Sequence, residues 1–172
     1  EEKDNGSISY GALEKATGGI LLIDEVTEIP LETQSKILRV LTDQKFKRIN
    51  GDHDIKVDVR IICSSSKDIK KEIKEGNFRE DLYHRLAVIL IEVPELSKRK
   101  SDIPILVSHF SEFISKEQGI ETKEFNKDSL KLLEEYDWSG NVRELRNVIE
   151  RLIILGGNPI TKEDINLFAS KK

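Results

Sequence analysis

Four consecutive aliphatic residues, Ile20-Leu21-Leu22-Ile23, run straight into two acids, Asp24-Glu25. An unbroken apolar run rich in branched residues, entered through Gly18-Gly19, reads as a strand buried on both faces, which is the mark of a parallel sheet. Parallel strands need crossover connections, and the chain supplies the material for them. Pro30 opens an amphipathic helix in which Ile37, Leu38 and Leu41 recur at helical spacing. Phe46–Ile49 and Lys56–Ile62 flank Asn50-Gly51, which predicts a hairpin-like insertion leading to a second buried strand, Val59–Cys63. Val88–Val93 reads as a third strand.

Shorter elements fill the rest of this half. Ala12–Ala16 predicts a helical turn stopped by Gly18 and Gly19, after a polar start, residues 1–10. Lys67–Glu75 predicts a solvated helix ending at Gly76, and Arg79–Leu86 a shorter one. Pro94 and the charged stretch Ser97–Ser101 look like a linker, after which every segment is helical: Ile103–Lys116, Asp128–Tyr136, Val142–Leu155 and Thr161–Phe168. The last carries a Thr161/Asp164 capping pattern. Strand–helix alternation giving way to helices predicts an α/β domain over residues 1–96 and a small helical domain over 97–172.

Composition narrows the function classes. Lys plus Arg total 28 against 32 Asp plus Glu, a net charge of -4, which excludes a basic module that holds nucleic acid by bulk charge. One cysteine, Cys63, and three scattered histidines provide neither an internal disulfide nor a metal-ligand cluster. No apolar run is long enough to span a bilayer and no signal peptide opens the chain, so a soluble, cytoplasmic protein is expected. The chain contains no methionine, so the expectation is that it begins inside a longer protein.

Four constellations could carry chemistry. Asp24-Glu25 lie where a buried strand delivers them to the carboxyl edge of the sheet, the ligand edge of α/β folds. One acid there could hold Mg²⁺ through water and the next polarise a water; equally, the pair could simply end the strand. Arg79 and Arg85, six residues apart on a helix, face directions about 240° apart, so if both matter they serve different surfaces or different moments. Each could stabilise charge on a neighbouring subunit's phosphoryl group or pair with Glu80 and Asp81. Arg143 falls in the first turn after Trp138-Ser139-Gly140-Asn141, where a cation opposes the helix dipole unless an anion compensates. That anion could be a nucleotide phosphate or Glu144. Ser139 or Asn141 would cap that helix. Ser64-Ser65-Ser66, after the second strand, could orient water or a γ-phosphate, or cap the helix beginning near Lys67.

Taken together, GGILLIDEV, ETQSKILRVLTDQKFKRINGD, VDVRIICSS, FREDLYHRL, SDIPIL and WSGNVRELRNVIER resemble, from about Gly11 to Phe168, the central AAA+ domain of sigma-54-dependent transcription activators, most of all response regulators of the NtrX type. The resemblance implies a P-loop NTPase core with a parallel sheet, incomplete at its N-terminus, followed by a helical lid. It implies ATP and Mg²⁺ as cofactors, with Asp24 for Mg²⁺ and Glu25 as the base. It also implies Arg79 and Arg85 reaching across a subunit interface, Ser65 and Ser66 at the sensor I position, and Arg143 as the sensor II arginine. Implied partners are a hexameric or heptameric ring of copies, sigma-54 RNA polymerase, a sensor histidine kinase, and DNA through a domain outside this chain. Two departures stand out. No G-x-x-x-x-G-K-[ST] occurs, so this chain alone is expected not to hydrolyse ATP. Asp4–Gly11 stands where typical members carry GAFTGA, without its Phe-Thr pair.

Overall fold

The computed structural model describes residues 10–48 and 51–169. The stretch expected in place of GAFTGA lies outside them apart from Tyr10 and Gly11, as does Asn50 of the expected turn. The chain divides into two compact units, residues 1–91 and 92–172.

In the first unit, α1 (Ala12–Lys15) is followed by Gly18, whose φ of +77° is open to glycine at no steric cost. β1 (Ile20–Ile23) then pairs in parallel with β4 (Arg60–Cys63), in register from Ile20 opposite Arg60 to Ile23 opposite Cys63. The crossover between them holds α2 (Leu31–Asp43) and an antiparallel hairpin, β2 (Lys45–Lys47) with β3 (Asp54–Lys56). α3 (Ile69–Lys74) and α4 (Glu80–Leu86) follow. Val26, Phe78 and Leu82 form the buried centre, with Ile23, Ile37, Leu38 and Leu41 packed around it, so α2 contributes the stripe its sequence displays.

Three expectations need correction. β1 and β4 are paired as expected but covered on one face only: Leu21 and Ile23 are half-buried, while Ile20 and Leu22 are 62% and 64% exposed. Val88–Val93 forms no strand; it has no hydrogen-bonded neighbour strand among the described residues, and its apolar side chains stand in solvent. β composition is not sufficient where a paired backbone is missing. The serines do not cap α3, because Asp68 takes that place and accepts from the Lys70 and Lys71 N–H groups.

The second unit is helical: α5 (Ile103–Gln118), α6 (Lys127–Glu135), α7 (Asn141–Leu155) and α8 (Lys162–Phe168). Leu145, Val148, Ile149, Leu152 and Ile153 recur along α7 at helical spacing and are all buried against Ile103, Val107 and Ile114 of α5. The linker sequence contributes too, since Leu96 is fully buried in this core. Trp138 is anchored by its indole N–H, which donates to the Leu133 carbonyl at 2.7 Å, and by stacking on Tyr136. Gly140 holds the cap position of α7, and Asn141 Oδ1 accepts from the Leu96 N–H. No helix among the described residues is long and apolar enough to cross a membrane.

Candidate functional site

Parallel pairing carries the ends of β1 and β4 to the same sheet edge, and there the two acids meet Ser64 and Ser66. The Ser64 hydroxyl donates to Asp24 Oδ1 and accepts from the Glu25 N–H at 3.2 Å. Glu25 Oε2 accepts from both the Ser66 N–H and the Ser66 hydroxyl, each at 2.9 Å. Ser65 meets Thr27 at 3.2 Å, and the Val26 N–H donates to the Ser64 carbonyl at 2.9 Å. Glu25 itself is left-handed, at φ +50° and ψ +57°. That conformation costs a residue with a Cβ roughly 1–2 kcal/mol, and such outliers gather at functional sites. Here the serine bonds on both sides of Glu25 hold it in place.

Asp24 is exposed and Glu25 half-buried. Among the described residues no group of three or more His, Cys, Asp or Glu could hold a metal alone. One exposed carboxylate beside hydroxyls fits hydrated Mg²⁺, which takes few protein ligands and completes its shell with water and phosphate oxygens. Cys63, one residue before Ser64, is half-buried, and burial pushes its thiol up from the ordinary value.

Both candidate arginines reach α2. Arg79 precedes α4 as its N-cap residue; its guanidinium grips Asp81 through Nε at 2.9 Å and Nη2 at 2.7 Å, and Nη1 donates to Ser35 at 3.1 Å. The ion pair raises the Arg79 pKa and holds the Asp81 carboxyl below the ordinary aspartate value. Arg85 Nη2 donates to the Leu41 carbonyl in the last turn of α2 at 2.8 Å. Separation by 240° on an ideal helix does not apply, because Arg79 lies before the first helical residue and both side chains extend along α2.

Arg143 belongs to the second unit. It is exposed in the first turn of α7, and its guanidinium makes no hydrogen bond or ion pair among the described residues. Glu144 serves the helix start through Oε2, which accepts from the Gly140 N–H at 2.7 Å. Beside this helix start lies a cleft of about 350 Å³ lined by Glu95, Ser97, Asp137, Trp138, Ser139 and Asn141. Trp138 and Asn141 both have φ near +50° there.

Sequence reasoning passed over Ser64 as a partner of both acids, and Gln34 altogether. Gln34 occupies the apolar stripe of α2 yet is fully buried with every bond to backbone. The only signal was a polar residue in phase with Ile37, Leu38 and Leu41.

A parallel strand pair in which β1 runs into two acids and β4 into three serines, with a separate helical unit after it, fits an AAA+ type α/β core. Residues 4–92 match the sigma-54 interaction domain and residues 97–171 the AAA+ ATPase lid domain. The chain belongs to the sigma-54 interaction domain family. It is 48% identical over 160 residues to the nitrogen assimilation regulatory protein NtrX of Azorhizobium caulinodans, covering 92% of this chain and 35% of that protein. The DNA-binding transcriptional regulator NtrC of Proteus hauseri is 47% identical over 148 residues, covering 86% of this chain and 31% of that protein. The crystal structure of NtrX from Brucella abortus superposes with a TM-score of 0.88 at 46% identity, covering 95% of this chain and 38% of that one. Its complex with ATP gives 0.83 at 47% identity, covering 90% and 37%. The chain thus spans about a third of the length of the curated relatives it matches.

Proposed function

We propose that this chain is the ATP-dependent AAA+ region of a two-component response regulator that controls transcription, acting as a hexameric or heptameric ring of copies in the cytoplasm. One observation carries the reading: the carboxylates ending β1 and the hydroxyls following β4 form a single hydrogen-bonded cluster at the carboxyl edge of a parallel sheet. In this reading Asp24 holds Mg²⁺ through water. Glu25, its carboxylate fixed by Ser66, orients and deprotonates the attacking water. Ser65 and Ser66 respond to the γ-phosphate, Arg79 and Arg85 are offered to the neighbouring subunit, and Arg143 contacts the nucleotide from the lid. Bound Mg²⁺ would neutralise charge on the phosphate oxygens. The crystal complexes of the Brucella NtrX with ATP and ADP support a nucleotide as the ligand. Sigma-54 RNA polymerase, a sensor histidine kinase, and DNA through a region outside this chain are the partners this reading assigns.

The test is ATP hydrolysis by the intact protein that carries this chain, with Glu25→Gln as control. The expected result is Mg²⁺-dependent turnover abolished by the substitution, and none from the 172-residue chain by itself, which has no phosphate-cradling loop. A second reading makes the region a non-hydrolysing oligomerisation module. It is favoured by Arg79 being engaged by Asp81 and Ser35, and Arg85 being engaged at Leu41. Ring formation without turnover would support that reading instead.

A further inference from the structure

We propose that Gln34 is a positioning residue for Arg79, an inference that rests on Arg79 acting on a neighbouring subunit's nucleotide. Gln34 stands where α2 turns its apolar stripe inward, in line with Ile37, Leu38 and Leu41. A leucine or methionine would fill such a position, and burying an amide there is costly unless its hydrogen bonds are made. They are made to backbone alone. Nε2 donates to the Ile29 carbonyl at 2.7 Å and to the Asn77 carbonyl at 3.0 Å, and Oε1 accepts from the Arg79 N–H at 2.9 Å.

One carboxamide therefore joins the turn that follows Glu25 to the two ends of the Asn77–Arg79 segment that enters α4. The Arg79 N–H is among the orphan donors that a helix start leaves without an internal partner, so Gln34 holds it where it would otherwise be free to move. The side chain is held from the same helix, since Arg79 Nη1 donates to Ser35 at 3.1 Å. Gln34 fixes the root of the arginine and Ser35 with Asp81 its tip. The root sets where the guanidinium falls once a phosphate competes it away from Asp81. An arginine that acts by charge placement is sensitive to its root, because a displacement of about 1 Å can cost about a hundredfold in rate.

Gln34→Leu and Gln34→Met are the variants, with two readouts. On this chain, hydrogen exchange at the Arg79 amide is expected to accelerate while the β1–β4 amides keep their protection. In the intact protein, kcat for ATP hydrolysis should fall about a hundredfold with KM unchanged within about twofold. Mixing Gln34→Leu subunits with Glu25→Gln subunits should restore turnover, because the latter supply a correctly rooted Arg79 to acids that are intact in the former. Failure of that mixture to recover, where Arg79→Ala mixed with Glu25→Gln does recover, overturns the proposal and leaves the trans reading of Arg79 standing. Failure of the Arg79→Ala mixture, or no turnover by the unmodified protein, removes that reading and the inference with it. Unfolding of both Gln34 variants, unchanged kcat, or a loss confined to KM assigns Gln34 a structural role only.

Discussion

Arg48 and Glu14 form a two-point ion pair that ties the hairpin to the first helix: Nη2 lies 2.5 Å from Oε1 and Nε 3.3 Å from Oε2. The Tyr10 ring lies under the same guanidinium, 5.3 Å from its centroid. The Arg48 hydrogen bond holds the Glu14 carboxyl below the ordinary glutamate value. A depressed acid contributes stability above its unfolded pKa and loses it as pH falls through the folded one. Hydrogen-exchange protection of the β2–β3 amides is therefore expected to drop on acidification below about pH 4.3. In Glu14→Gln it should be lower at neutral pH and fall less over that acid range, the remaining response coming from Asp54, whose carboxyl Lys45 holds below the ordinary aspartate value across the hairpin. An equal acid response in the two proteins would contradict this.

The capping box on α8 gives a second acid-sensitive element. Asp164 Oδ2 accepts from the Thr161 N–H at 2.8 Å and from its hydroxyl at 2.9 Å, and the Thr161 hydroxyl accepts from the Asp164 N–H at 3.5 Å. The Thr161 N–H bond is the main reason the Asp164 carboxyl sits below its ordinary value, with the Thr161 hydroxyl and the Gly157 N–H adding to it. Thr161→Ala should cost about 1 kcal/mol. The Asp164 contribution should be complete above about pH 3.9 and disappear as pH falls further. Thermal melting of both proteins across the acid range checks both statements.

These two elements differ in how readable they were. Thr161 and Asp164 act over three residues, so the pattern in the sequence is the interaction itself, and the same holds for the α2 stripe and the Gly76 stop. Glu14 and Arg48 meet across 34 residues, and no local pattern encodes that. Ile20 and Leu22 carry the same apolar character as Leu21 and Ile23, so the sequence could not say that one face of β1 stands open. The acids at the sheet edge were legible because a strand's end has a fixed place. Asp81 as a partner of Arg79 was legible too, because it lies two residues away; the contacts of Arg79 with Ser35 and of Arg85 with the Leu41 carbonyl were not, because each spans 44 residues.

Gly156 is closed to any side chain. A Cβ built there would lie 2.7 Å from Ile160 Cδ1 and 2.7 Å from the Leu152 carbonyl, which is itself held by the Gly156 N–H at 2.8 Å. Gly156→Ala should destabilise the second unit by about 1–3 kcal/mol through overpacking. Gly119→Ala is the contrast, since its φ of +66° imposes only the backbone cost, about 1–2 kcal/mol, with nothing within 4 Å to strike. Combining either substitution with Ile160→Val separates the two mechanisms, because shortening Ile160 relieves part of the Gly156→Ala cost, the clash with the Leu152 carbonyl remaining, and none of the Gly119→Ala cost.

Trp138→Phe keeps an aromatic ring beside Tyr136, whose centroid lies 5.4 Å away, and deletes the indole N–H that satisfies the Leu133 carbonyl. Trp138 is buried, so that carbonyl loses its partner away from water. The expected loss is about 1–3 kcal/mol by denaturant unfolding. A change below the precision of that measurement would mean that water replaces the indole.

Arg79 and Arg85 should separate when stability and turnover are measured on the same variants. The Arg79 guanidinium is bound by an exposed carboxylate and a hydroxyl, and an exposed ion pair of that kind contributes little to folding. Arg85 instead places its positive charge on the Leu41 carbonyl, in the last turn of α2, where unpaired carbonyls and the helix dipole both favour a cation. Arg79→Ala is expected to leave the melting temperature of this chain nearly unchanged, whereas Arg85→Ala lowers it and frays the end of α2. In the intact protein both substitutions should abolish hydrolysis if both guanidiniums reach a neighbour's nucleotide. Arg85→Ala that loses stability while hydrolysis persists would confine that residue to capping α2 and leave Arg79 to act alone across the interface.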